Sequence, residues 1–147
     1  MSELFVAFIG IVAGFVGGVG KAWLDRRARI DDGLLAKRTE LYLTLWRLTG
    51  IFPLYPRDRT LRHEQVAKRM VELRTWYFEE GGGLYMVGKT QAAYLFFQSV
   101  LDKLSADETR HDDLVSDHDY TVGQEASTAL RTCLTQDLYS RGGSSLI

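Results

Sequence analysis

The sequence predicts an all-α protein: a single N-terminal transmembrane helix followed by a small antiparallel cytosolic bundle of about four helices. Three observations carry this expectation. Leu4 to Gly20 is an apolar run without charge or proline. Later stretches repeat apolar residues at spacings of three, four and seven, the period of a helix with one buried face. No strand-like alternation competes with them, and glycine or proline separates one periodic stretch from the next.

Continued through Trp23 and Leu24, the apolar run approaches the roughly 20 residues that a bilayer core requires, so segment 1–24 is assigned as the anchor. Gly10, Gly14 and Gly18 recur every fourth residue and share one face, the pattern that lets two membrane helices approach closely. A homo-oligomer joined through these glycines is therefore expected. Only Glu3 is charged ahead of the run, whereas Lys21, Trp23, Arg26 and Arg27 follow it. These four residues fit a membrane interface, with lysine and arginine reaching the head groups and tryptophan lying at their level. The asymmetry places the N-terminus outside and Lys21 onward in the cytoplasm, the arrangement of a bacterial inner-membrane protein. Lipid is thus the first expected partner.

The net charge of −1 hides a division. Lys21–Arg74 carries 13 Lys/Arg against 7 Asp/Glu, and Thr75–Ile147 carries 5 against 11. A basic region beside a membrane segment suits anionic head groups, or the acidic half of the same chain. No dense basic block interleaved with aromatics appears, so nucleic acid is not an expected partner. The lone cysteine, Cys133, excludes an internal disulfide and lies on an apolar helical face beside Leu130 and Leu134.

The bundle is expected over 25–141, with 142–147 a loose tail. Its first helix places Ile30, Leu34, Leu41, Leu45, Leu48 and Phe52 on one stripe, with a possible hinge around Asp31, Asp32 and Gly33. Gly50 and Pro53 end it. Pro53-Leu54-Tyr55-Pro56 has the PxxP form, but between two helices it is a rigid connection. A second helix starts at Thr60 as N-cap and runs to Glu80, with Val66, Met70, Leu73 and Tyr77 as its stripe, widened by Trp76 and Phe78. Gly81, Gly82 and Gly83 reverse the chain. The third helix, Thr90 to Ser105, is the most apolar, with Tyr94, Leu95, Phe96, Phe97, Val100, Leu101 and Leu104. A polar link over Ala106–Asp119 leads to the fourth, Tyr120 to Arg141, whose stripe is Val122, Ala126, Ala129, Leu130, Cys133, Leu134 and Leu138.

Two motifs suggest chemistry. Gly83 to Thr90, GLYMVGKT, matches the phosphate-loop pattern GxxxxGK[ST], in which backbone N–H groups and Lys89 would meet phosphate and Thr90 would reach Mg²⁺. Such a loop needs a buried strand before Gly83 and a helix after Gly88. Here the preceding LRTWYFEE continues a helical stripe and ends in Glu79 and Glu80, which repel phosphate. Those two carboxylates are adjacent, so on a helix they point about 100° apart and form no acid–base pair. The second motif, His111, Asp112, Asp113, Asp117, His118 and Asp119, has metal-ligand chemistry. A solvated acidic link with Asp117 or Asp119 capping the next helix explains it equally.

The expected function is that of a non-enzymatic, single-pass membrane protein. It self-associates through its transmembrane helix and uses the cytosolic helices to contact a protein partner. No cofactor, metal or catalytic residue is implied. Trp46, Tyr55, Trp76, Tyr85 and Tyr94 are the aromatic candidates for a contact surface. The alternatives are a membrane-anchored nucleotide-binding protein using Gly83–Thr90, and a membrane-permeabilising assembly of glycine-faced helices.

Overall fold

A computed structural model describes residues 32–142. The apolar run, Gly10, Gly14, Gly18, Lys21, Trp23, Arg26 and Arg27 lie outside the described residues, as does the tail beyond Gly142. Contacts divide the chain into two units, Met1–Lys37 and Arg38–Ile147. Of the first, only 32–37 is described, and it is helical through Gly33. Among the described residues no helix is long and apolar enough to cross a membrane.

The described residues are all-helical, without a strand. Four α-helices occur in order: α1 over 32–48, α2 His63–Phe78, α3 Gly88–Ser105 and α4 Asp117–Gly142. Short 3₁₀ turns occupy Thr49–Ile51, Gly82–Tyr85 and Glu108–Arg110. Side-chain bonds give the directions. Gln91 donates to the Tyr77 hydroxyl, the Tyr94 hydroxyl donates to the Leu73 carbonyl, and His63 meets the Leu104 carbonyl. Rising positions on α2 therefore meet falling positions on α3. The same holds for α1 against α4, where Tyr42 meets Asp137 and Thr49 meets Arg131. The helices form an antiparallel bundle.

Its core follows the helical period. Leu41, Leu45, Val66, Leu73, Phe97, Val100, Leu101, Ala126, Leu130 and Leu134 are buried as their spacing predicts. Each large one contributes about 1.5–3 kcal/mol by leaving water. The largest side chains carry polar atoms and satisfy them. Trp76 donates to the Leu41 carbonyl at 3.1 Å and Tyr94 to the Leu73 carbonyl at 2.9 Å. Burial raises the Tyr94 phenol above its ordinary pKa, so it remains a donor. Phe52 packs edge-on against Phe97 and Tyr120, with ring centroids 6.5 and 5.4 Å away. A Cβ at Gly123 would lie 2.5 Å from the Phe52 ring, so glycine is what lets α4 approach here.

Several expectations are corrected. Thr60 does not cap α2, because its N–H and hydroxyl both donate to Asp58 Oδ1, at 2.8 and 2.7 Å. The helix starts at His63 instead, with the Arg62 N–H donating to Gln65 Oε1. α4 starts at Asp117, and neither Asp117 nor Asp119 is the cap. The Ser116 hydroxyl accepts the Asp119 N–H at 3.1 Å and donates back to the Asp119 carboxylate at 2.8 Å. That reciprocal pair satisfies one of the helix's free amides. α3 starts at Gly88, two residues before Thr90. Leu34, Phe78, Leu95 and Phe96, all assigned to buried stripes, are exposed, and so is Ala129.

Candidate functional site

Three of those exposed apolar residues, Phe78, Leu95 and Phe96, lie on α2 and α3. On α2, Met70 and Arg74 lie one turn apart on the side that borders α3. On α3, positions 91, 95, 98 and 102 follow helical spacing toward α2. Between the two rows lies a groove of about 250 Å³ lined by Met70, Arg74, Leu95, Gln98, Ser99 and Asp102. Leu95 is 50 % exposed in this groove, and Val71 and Phe78 elsewhere on α2 are 59 % and 71 % exposed. Phe96, on the outer side of α3, is 56 % exposed.

The floor beneath is complete without them. Tyr77 stacks on Tyr94 at 4.9 Å, with the ring planes 17° apart, and Trp76 lies 5.8 Å from the same ring. Phe78 touches the Tyr77 ring edge-on at 4.9 Å and otherwise faces water. Other large apolar side chains are exposed elsewhere, among them Leu54, Tyr55, Leu84 and Tyr139.

The five aromatic candidates divide. Trp76 and Tyr94 are core, Tyr85 is half-buried, and Trp46 and Tyr55 are exposed. Trp46 is covered on one face by the Arg131 guanidinium, 4.9 Å from its centroid. Arg131 in turn donates to Thr49 Oγ1 at 2.9 Å, and burial lowers its pKa. This pair clamps α1 to α4.

The structure does not bring the phosphate-loop residues together. What precedes Gly83 is α2 and a turn. Gly81 has φ 76°, the left-handed region that glycine enters without strain. A Cβ at Gly82 would lie 2.4 Å from the Trp76 ring, and one at Gly83 would lie 2.6 Å from the Tyr77 ring. The glycines serve close packing on aromatics. Lys89 is exposed, while Thr90 is buried with its hydroxyl donating to the Cys133 carbonyl at 3.5 Å. Lysine and threonine thus point to different surroundings. Of the apolar run between them, Met86 is buried and Leu84 is 88 % exposed.

The His/Asp link is held mainly by its backbone. The carbonyls of His111 and Asp113 accept the N–H groups of Glu64 and His63, at 3.0 and 3.2 Å, and the Arg62 side chain donates to the Asp112 carbonyl. The Val115 N–H donates to the Leu61 carbonyl at 2.9 Å. Asp117 pairs with Arg57 at 2.7 Å, and the Arg57 guanidinium lies over the Tyr120 ring. Among the described residues no three His, Cys, Asp or Glu side chains converge as a metal ion needs. A second hollow of about 380 Å³ beside the α1–α2 connection carries Asp58, Lys68, Arg69 and Glu72. Its charges are mixed, Arg69 and Glu72 pair at 2.9 Å, and Asp58 is held by Thr60.

The sequence identifies the groove residues only in part. Leu95, Phe96 and Phe78 were conspicuous as apolar, but their exposure depends on where each stripe ends. No family model, curated protein or solved structure matches the chain.

Proposed function

We propose that this protein is a non-enzymatic contact module, tethered to a membrane by Leu4–Gly20, self-associating through Gly10, Gly14 and Gly18, and engaging its partner through the α2–α3 face. The observation that carries the reading is the exposure of Val71, Phe78 and Leu95 above a core already closed beneath them. The charge-free apolar run and its basic flank support the tether.

The test is site-specific photo-crosslinking of the full chain in intact cells. A photoreactive residue at position 95 should give a discrete adduct, and one at exposed Thr132 on α4 should give none. Equal labelling at both positions, or none at 95, overturns the reading. The membrane fraction should retain the protein after alkaline extraction, and release into the supernatant removes the tether.

A further inference from the structure

The hollow beside the α1–α2 connection, about 380 Å³, has apolar, anionic and cationic parts. Leu61, buried, and Ile51 and Pro53, half-buried, are its apolar lining. Asp58 is its anion. The Thr60 hydroxyl, and then the Thr60 N–H, donate to Asp58 Oδ1 at 2.7 and 2.8 Å and hold the carboxyl below its ordinary pKa, so it stays ionised. The other oxygen, Oδ2, accepts no hydrogen bond among the described residues. Lys68 is the cation. It is exposed on α2 and makes neither an ion pair nor a hydrogen bond among the described residues. Asp58 and Lys68 therefore line one hollow without neutralising each other. Arg69 and Glu72 pair at 2.9 Å and bring no net charge.

These charges sort ligands by class. An anion such as phosphate would meet Lys68 but also the Asp58 carboxylate, and a simple cation would meet Asp58 but also Lys68. A molecule carrying both charges engages both side chains. An α-amino acid has its ammonium and carboxylate on one carbon, and its side chain leaves that carbon toward the apolar lining. The terminus of a protein partner supplies only one of the two charges. The connection also sets the direction. Gly50 and Ile51 bring the carbonyl end of α1 to the hollow, and Pro53 has no N–H with which to close a turn onto the Gly50 carbonyl. A helix end of this kind favours a cation, so the ammonium belongs at the connection and the carboxylate at α2. The volume lies at the small end of ligand sites, roughly 300–1,000 Å³, which suits a molecule of this size.

We infer that this hollow binds a free α-amino acid with an apolar side chain, its ammonium on Asp58 Oδ2, its carboxylate on the Lys68 ammonium and its side chain against Ile51 and Leu61. The site is independent of the α2–α3 face and of the tether, and it stands or falls without them.

The experiment titrates the full chain, isotope-labelled in non-ionic detergent micelles, with L-leucine, leucinamide and N-acetyl-leucine. Leucinamide lacks the carboxylate and N-acetyl-leucine lacks the ammonium. Leucine should shift the amide signals of Ile51 and Gln65 with a Kd on the order of 1 mM, and both analogues should bind more weakly. Asp58→Asn keeps an oxygen for the Thr60 donors and removes the charge. It should weaken leucine about tenfold and leave N-acetyl-leucine unchanged. Lys68→Gln should weaken leucine about threefold, as expected of an exposed pair, and leave leucinamide unchanged. Lys68 faces solvent, so this variant keeps the test intact if Asp58→Asn disturbs the turn. Three ligands that bind alike, a folded variant that holds leucine as the parent does, or no shift with leucine at about 20 mM each overturn the inference.

Discussion

The two ends of the bundle solve one problem in opposite ways. At one end α2 turns into α3 through Gly81, Gly82 and Gly83, where absent side chains leave room for the Trp76 and Tyr77 rings. At the other end α3 reaches α4 through a polar link whose carbonyls hold the start of α2. The first joint is made of ring packing and the second of main-chain hydrogen bonds. Both have sequences that suggest chemistry, a phosphate loop and a metal patch, and in both the residue types are explained by how helices are joined. A motif read as letters does not say whether its side chains or its backbone are in use.

The sharpest way to break the contrast is Gly82→Ala. Its Cβ meets the Trp76 ring, which is fully buried and cannot yield, so overpacking should cost about 1–3 kcal/mol. The loss should appear in the urea midpoint and should shrink in a Trp76→Phe background, since the clash is with the six-membered part of the indole. An additive pair of effects would contradict the packing explanation.

At the polar end the largest single effect should come from Ser116→Ala, which removes the hydroxyl shared with Asp119. About 1 kcal/mol is expected, measured as a fall in melting temperature. Asp112→Asn should stay within about 0.5 kcal/mol, because only its carbonyl is engaged. A rise in melting temperature with Zn²⁺ that Asp112→Asn abolishes would restore the metal reading. Likewise Lys89→Ala should leave stability and response to Mg²⁺-nucleotide unchanged, and a nucleotide-dependent rise lost in that variant would restore the phosphate loop.

The smallest effect is one of pH. The Thr109 hydroxyl, and then its N–H, hold the Asp107 carboxylate below its ordinary pKa. A depressed value in the folded state means that the stabilisation is present above the ordinary carboxylate range. It is lost as pH falls through the lower folded value. Thr109→Val should raise the Asp107 titration midpoint seen by NMR, with little change in the bundle's melting temperature.

Much of the bundle was legible in the sequence. Four periodic stretches gave four helices, and the glycine and proline breaks fell between them. The boundaries were less so. Asp58 two residues ahead of Thr60 draws both of its donors away, and Ser116 three residues ahead of Asp119 supplies the better reciprocal cap. The period also places residues around a helix without saying how wide the covered arc is. Phe78, Leu95 and Phe96 extend apolar stripes past the edge of contact, so periodicity alone places them in the core. Gly123 gave no sign of its role, because the Phe52 ring that needs its space is 71 residues away in the chain. The groove was hidden for the same reason, since Arg74 and Asp102 are unrelated until α2 and α3 lie side by side.

The bond between Tyr42 and Asp137 has a consequence in time. The Tyr42 hydroxyl donates to the Asp137 carboxylate at 2.6 Å across 95 residues of chain, which ties the first described helix to the last. A ribosome adding about 5–20 residues per second makes the second partner on the order of 5–20 s after the first. Throughout that interval Tyr42 has no Asp137 to meet, and Trp76 and the Tyr85 carbonyl are the early partners that hold α1. A nascent chain halted before α4 therefore presents a greasy strip of α1. Chaperones that survey growing chains should meet this protein late in its synthesis, and should release it only once the last helix has arrived.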